Sequence, residues 1–179
     1  MESNRLVIVD DFIDYVDEIR QYALHDIYYP PTINDNWVGF RSKKYKDLKF
    51  CQQIKKLLNQ NYYGNKKFEF EGLFCYCPKI SQDLAGSYYD RYKLHTDKTS
   101  QYAGIFYLNL NPPKHTGTIV GKNVVENVYN RLIMFDSTKM HGPDNFYGDN
   151  IEDSRLLFVF FSWTKLTLPF SSNKNIFNL

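Results

Sequence analysis

A chain of 179 residues and 21.3 kDa is long enough to bury one hydrophobic core and short for two. Its 22 lysines and arginines stand against 20 acidic residues, a formal charge of +2 that excludes the long-range field by which a protein recruits nucleic acid or an anionic membrane. Small partners of low charge are expected instead, and the 15 tyrosines and 14 phenylalanines favour strands over a helical bundle.

Residues 6–9 form a short apolar run, read as a strand. Asp10 and Asp11 then offer an N-cap to a helix with Phe12, Val16, Ile19 and Ala23 on one face, whose acidic side (Asp14, Asp17, Glu18) is a solvated face. His25 falls at its C-terminal end, where the macrodipole favours it. After a loop around Pro30 and Pro31, a second amphipathic helix is predicted over 45–59, with Phe50, Ile54, Leu57 and Leu58 inward and lysines outward. From Lys67 the period changes to two, and Pro78 ends that strand. Further strands are predicted over 102–110, 118–120, 124–129, 131–135 and 155–163. One domain over 1–179 is expected, with a helical N-terminal part (1–66), a β core (67–165) and a loose tail (171–179).

Three cysteines, Cys51, Cys75 and Cys77, are too few for a disulfide framework and imply reduced thiols. Cys75-x-Cys77 places both side chains on one strand face, where core packing is expected, because no second Cys or His pair of zinc-site spacing follows. No signal-peptide pattern opens the chain and no run of eighteen apolar residues occurs, so a cytoplasmic protein without membrane contact is expected.

The chemistry concentrates on His95-Thr96-Asp97, which in extended backbone would turn an imidazole and a carboxylate to one side. Spacing alone is weak: four histidines and 14 aspartates give roughly 0.3 such tripeptides by chance. Downstream order strengthens it. A strand over 131–135 leads to an Asp136-Ser137 turn and His141-Gly142, and 14 residues later Arg155 opens an alternating apolar strand shared with Leu157, Val159, Phe161 and Trp163. Two histidines and one carboxylate leave three positions of an octahedral ion open, and a buried arginine needs an anionic partner. His115, in a Pro-Pro-Lys-His-Thr-Gly stretch, reads as a loop residue.

At these residues the chain resembles the Fe(II)/2-oxoglutarate dioxygenase superfamily, in particular its prolyl-4-hydroxylase-like branch and small phage or bacterial oxygenases, over about 68–163. The resemblance implies a mostly β (α+β) fold, a double-stranded β-helix or jelly-roll core with two N-terminal helices packed on one sheet. It implies Fe(II) bound by His95, Asp97 and His141, with 2-oxoglutarate as cosubstrate and O2 as co-reactant. Arg155 would take the cosubstrate's C5 carboxylate, Tyr107 of Tyr107-Leu-Asn109 would reach the same group, and Tyr92, three before His95, is a further candidate. Trp37, Arg41, Tyr88, Tyr89 and Arg91 fall in segments that would flank the metal and contact substrate. Residues 142–154 read as an enlarged loop at the barrel mouth, and retention of Asp97 disfavours an iron-bound halide. The expected reaction is hydroxylation of a protein side chain such as proline, or of a small molecule, with release of succinate and CO2. Two other readings stay open: a non-enzymatic jelly-roll binding module with a vestigial or structural metal pocket, and a hydrolytic zinc site, which would not need Arg155.

Overall fold

The computed structural model describes residues 5–31, 39–79 and 94–164. Trp37, Tyr88, Tyr89, Arg91, Tyr92 and the 171–179 tail lie outside the described residues. Among those described, two α-helices accompany nine strands, so the chain is mostly β. Strands β1 (Val7–Val9), β2 (Phe40–Tyr45), β3 (Glu69–Cys77), β4 (Tyr102–Tyr107), β7 (Leu132–Asp136) and β9 (Arg155–Trp163) form one antiparallel sheet in the order β1-β7-β4-β9-β3-β2. A smaller antiparallel sheet runs β6-β5-β8, from β5 (Thr118–Val120), β6 (Asn123–Val125) and β8 (His141–Pro143).

Period-two alternation divides the large sheet into two covered faces. Even-numbered Phe70, Phe74, Phe106, Leu132, Met134, Leu156, Phe158 and Phe160 pack against α1 (Val16–Leu24) and α2 (Lys49–Leu58). Odd-numbered Leu73, Cys75, Ala103, Ile105, Tyr107, Ile133, Phe135 and Leu157 face the small sheet, joined there by Val120 and Val125. Gly72 and Gly104 lie under the rings of Phe158 and Phe160, where any Cβ would collide with ring atoms. At the centre of the helix-side core, Phe50 of α2 is fully buried with its ring 4.8 Å from that of Phe158 and 5.9 Å from that of Phe106. Phe50→Ala should therefore cost about 3–5 kcal/mol of stability, read as a lower urea midpoint at unchanged m-value; a loss below about 1 kcal/mol would show that the helices contribute little to this core.

Several elements differ from their sequence-based expectation. Tyr45 does not open a helix: it ends β2, and α2 begins at Lys49, so the N-terminal part contributes two edge strands to the sheet as well as helices. Asp10 and Asp11 do not cap α1, whose N-cap is Tyr15 without a side-chain cap. Asp10 instead forms a bidentate pair with Arg131 (2.5 and 2.9 Å), and Asn130 brackets Ile13 by accepting its N–H at 3.1 Å and donating to its carbonyl at 2.9 Å. The strand expected over 124–129 stops at Val125, because Asn127 and Asn130 turn inward to hydrogen-bond across the fold. His25 is the C-cap of α1, its Nδ1 2.8 Å from the Gln21 carbonyl. The three cysteines are free and buried, and burial pushes the Cys51 and Cys75 thiols up to about 12, so they stay protonated packing groups. No helix among the described residues is long and apolar enough to cross a membrane.

Candidate metal centre

Two segments far apart in sequence are zipped together to build the site. His95 and His141 form an antiparallel bridge, N–H to carbonyl at 2.9 and 2.8 Å, which adds the 95 region to the edge of the small sheet beside β8. The zipper continues where Asp97 N–H donates to the Ser137 carbonyl at 2.9 Å and Ser137 N–H to the Gln101 carbonyl at 3.1 Å. Backbone bonds thus hold the first His-x-Asp pair against the distal histidine, and one ligand atom from each of His95, Asp97 and His141 lies within 4.8 Å of the others.

The donor chemistry fits a cation. His141 Nδ1 lies 2.8 Å from the Lys139 carbonyl, which only accepts, so Nδ1 carries the proton and Nε2 presents its lone pair. That lone pair faces Asp97 Oδ2 at 3.2 Å, and Oδ2 is buried without a hydrogen bond. Two lone pairs at this distance repel unless a proton or a metal lies between them. Donors at right angles around an ion with bonds of roughly 2.1 Å stand about 3 Å apart, so this pair is already at coordination spacing. His95 Nε2, 3.8 Å from Asp97 Oδ1, needs only a side-chain adjustment. The His141 ring is braced by Phe135, with centroids 4.8 Å apart.

The triad opens into a cavity of about 500 Å³ between the two sheets, within the roughly 300–1,000 Å³ of small-molecule sites. Phe135, Val159, Phe161 and Leu73 give it an apolar wall, and Arg155 lines it from the start of β9. The Arg155 side chain is fully buried, donating from Nε to the Thr116 carbonyl (3.1 Å) and from Nη2 to the Gly117 carbonyl (3.2 Å) and Thr118 Oγ1 (2.8 Å). Its Nη1 has no hydrogen-bond partner, and no carboxylate pairs with it among the described residues. A buried guanidinium with an open edge lacks the anion that would offset its desolvation.

The carbonyls that hold this fork belong to a strand start where glycine is required: a Cβ at Gly117 would run into the Val125 backbone. Tyr107 sits behind the fork, its hydroxyl 2.5 Å from Thr118 Oγ1 and its ring centroid 5.8 Å from Arg155 Cζ. Burial pushes the Tyr107 hydroxyl up against the pull of the neighbouring guanidinium, so it stays a neutral phenol.

The sequence matches no protein-family model, and no curated protein matches it. Solved structures do match. The chain aligns over 89% of its length with 92% of a Pseudomonas putida prolyl-4-hydroxylase, at 14% identity and a TM-score of 0.57. It aligns over 92% of its length with 92% of IDO from Bacillus thuringiensis (10% identity, TM-score 0.58). It also aligns over 92% with 85% of Streptomyces hygroscopicus HygX, a structure with nickel and 2-oxoglutarate bound (10% identity, TM-score 0.54). The chain has the fold of prolyl-4-hydroxylase-type oxygenase structures.

Of the expected site residues, His95, Asp97, His141, Arg155 and Arg41 line one cavity. Tyr107 does not line it and touches it only through Thr118 and Arg155. His115 is an exposed turn residue with φ 61°. Residues 142–154 do not form one loop at the cavity mouth: β8 takes up 142–143, which line the cavity, and 144–154 do not line it. Phe146 tucks inward there, and the Gly148 carbonyl accepts Lys79 N–H at the end of β3. Thr118 was missed as a site residue. Its signal is the Thr116-Gly117-Thr118 turn opening a strand, where a hydroxyl next to a bare backbone position meets an arginine.

Proposed function

We propose that this chain is an Fe(II)- and 2-oxoglutarate-dependent oxygenase that hydroxylates a protein side chain such as proline, or a small molecule, releasing succinate and CO2. One observation carries the reading: a two-histidine, one-carboxylate donor set and a buried arginine fork with an open Nη1 share one apolar cavity. Hydrolysis at zinc would need the first and not the second. Strand order supports a double-stranded β-helix: β3-β9-β4-β7 in the large sheet faces β6-β5-β8 extended by the His95 bridge, four strands on each side. We read 1–179 as one such domain, residing in the cytoplasm, where ferrous iron and the free thiols stay reduced.

In this reading His95, Asp97 and His141 would hold the metal, and the cavity beside them would receive the cosubstrate and dioxygen. When bound, iron and 2-oxoglutarate supply the oxidising power, through oxidative decarboxylation of the 2-oxo acid. The chain's own work is placement. The His141 Nδ1–H bond to the Lys139 carbonyl fixes the tautomer, Asp97 supplies the one anionic donor, and Arg155 directs Nη1 at the cosubstrate's far carboxylate. Phe135, Val159 and Phe161 keep water from the reacting centre. No side chain needs to act as general acid or base. Tyr107 serves the cosubstrate end by steadying Thr118 and the Arg155 fork, while Tyr92, Trp37, Arg41, Tyr88, Tyr89 and Arg91 remain proposed contacts of cosubstrate or substrate.

Tyr107→Phe removes one neutral hydrogen bond and keeps the ring. A rise in the 2-oxoglutarate KM of about fivefold is expected, equivalent to roughly 1 kcal/mol, with Fe(II) affinity unchanged; an unaltered KM would reduce Tyr107 to core packing. The activity itself is tested by CO2 release from 1-¹⁴C-2-oxoglutarate in the presence of a clarified lysate as substrate pool. Release should require both Fe(II) and the protein, and counts no higher than the metal-free control would refute the proposal.

A further inference from the structure

The net charge of +2 hides an uneven distribution along the chain. Residues 40–67 carry nine lysines and arginines against one acid, Asp47, whereas the rest of the chain carries thirteen against nineteen. One short stretch therefore holds +8 and the remainder −6. Segments 1–4, 32–38, 80–93 and 165–179 together contain four acids and four bases, and even their four acids alone could not neutralise eight positive charges.

Folding concentrates part of this charge in one groove. A concave surface of about 830 Å³ lies between the outer side of α2 and the chain entering β3, and five lysines line it: Lys46, Lys55, Lys56, Lys66 and Lys67. The apolar face of α2, with Phe50, Ile54 and Leu58, is buried, which turns Lys55 and Lys56 outward. Lys55 is committed locally: its Nζ donates to the Lys46 carbonyl at 2.7 Å and lies 3.7 Å from Asp47. Lys46, Lys56, Lys66 and Lys67 are exposed, and none forms a salt bridge among the described residues. Counting Asp47 and Glu69 of the groove in full still leaves five lysines against two acids. Like charges on a convex surface are dispersed by water, whereas a concave one focuses their field on whatever enters it.

The shape and surroundings select the kind of anion. A polyanion longer than the groove, such as a nucleic acid or a membrane surface, would meet the −6 of the remaining chain. Phe70 is buried and Phe68 already gives one face to Tyr63 (centroids 4.3 Å apart, planes 7° apart), too little ring surface for a run of stacked bases. Gln52, Asn59 and Asn65 also line the groove, and their amides can both donate to and accept from a peptide backbone.

We propose that this groove docks a short acidic segment of a partner protein, its carboxylates on Lys46, Lys56, Lys66 and Lys67 and its backbone along Gln52, Asn59 and Asn65. The α2 side of the large sheet is the face away from the metal triad, so docking here leaves the cavity open and the inference does not depend on the oxygenase reading.

The test is fluorescence anisotropy with full-length protein and four labelled probes: a Gly-Ser peptide interspersed with glutamates, the same peptide with glutamines, an oligothymidine, and phosphatidylserine vesicles. The glutamate peptide should bind roughly tenfold or more tightly than the glutamine peptide and more tightly than the other two anions, with an affinity that falls as salt is raised, because several exposed ion pairs act together. Lys66→Glu with Lys67→Glu should erase the preference, and Lys66→Arg with Lys67→Arg should keep it. Lys114→Glu with Lys122→Glu makes the same change in net charge at exposed positions outside the groove and should leave binding near wild type. Unfolding midpoints near wild type in every variant separate lost docking from lost fold. No binding of the glutamate peptide, equal binding of the two peptides, or equal loss in both charge reversals overturns the proposal. Tighter binding of oligothymidine or of vesicles also overturns it and assigns the groove to nucleic acid or to a lipid surface.

Discussion

Replacing His141 with alanine is expected to abolish Fe(II) binding and 2-oxoglutarate turnover, a loss beyond the roughly 10–100-fold that follows when only an outer-shell partner of a ligand is changed. The expectation rests on where the triad comes from. His95 and Asp97 lie on one segment, and His141 is the donor that the small sheet brings across to them, its Nε2 already 3.2 Å from Asp97 Oδ2. Without it two donors remain, too few to hold iron against water. The backbone of residue 141 makes the bridge to residue 95 through its own N–H and carbonyl, which alanine keeps. The fold should therefore survive, and a far-UV spectrum and unfolding midpoint near wild type would attribute the loss to the metal. Bound iron and coupled turnover in His141→Ala would remove His141 from the ligand set.

Arg155 gives the second large effect. Arg155→Lys is expected to raise the 2-oxoglutarate KM by roughly 30-fold to several thousandfold, the equivalent of about 2–5 kcal/mol for truncating one partner of a buried charge pair. Lysine keeps the charge and loses the fork. The guanidinium is positioned by three bonds to Thr116, Gly117 and Thr118, which a planar fork makes and an ammonium cannot reproduce, and its Nη1 is buried without a hydrogen bond. Fe(II) affinity should stay near wild type, because Arg155 is not among the donor residues. Steady-state kinetics with 2-oxoglutarate varied, alongside direct iron titration, checks both halves. A wild-type KM in Arg155→Lys would mean that the carboxylate is held elsewhere in the cavity.

How far the fold was legible depended on where its information lay in the chain. The long strands β3 and β9 announce themselves as runs rich in aromatic and branched apolar residues, because both faces of the large sheet are covered and each needs its own apolar set. Strand β2 was hidden: Phe-Arg-Ser-Lys-Lys-Tyr has no apolar period, and it pairs as an edge strand with a register shift between Arg41 and Lys44. Strand β8 is only His-Gly-Pro, too short for any pattern and defined by pairing with β5. The capping error at Asp10 has a similar cause, since a carboxylate before a helix reads as a cap, and only the folded chain brings Arg131 within reach.

The candidate site was legible in its residues and not in its supports. His95, Asp97, His141 and Arg155 stood out by order and residue type. The Lys139 carbonyl that sets the His141 tautomer and the β5 backbone that holds the Arg155 fork are main-chain groups, which any residue supplies and no sequence pattern marks. Tyr107 shows the converse. The resemblance makes it a candidate contact of the cosubstrate; its hydroxyl bonds Thr118 and it is not among the cavity's lining residues. Cys75-x-Cys77 was read as packing because it lacked a second ligand pair, and both thiols are buried and free.

The most direct test of the central claim is an anaerobic titration of the Fe(II)-loaded protein with 2-oxoglutarate, followed in the visible range where a chelated 2-oxo acid gives a metal-to-ligand charge-transfer band. A saturable band at one equivalent, absent in His141→Ala and shifted to much higher 2-oxoglutarate in Arg155→Lys, is the predicted result. Iron that binds to the protein and gives no band at any 2-oxoglutarate concentration would contradict the oxygenase account and leave a metal-holding jelly-roll that does not use this cosubstrate.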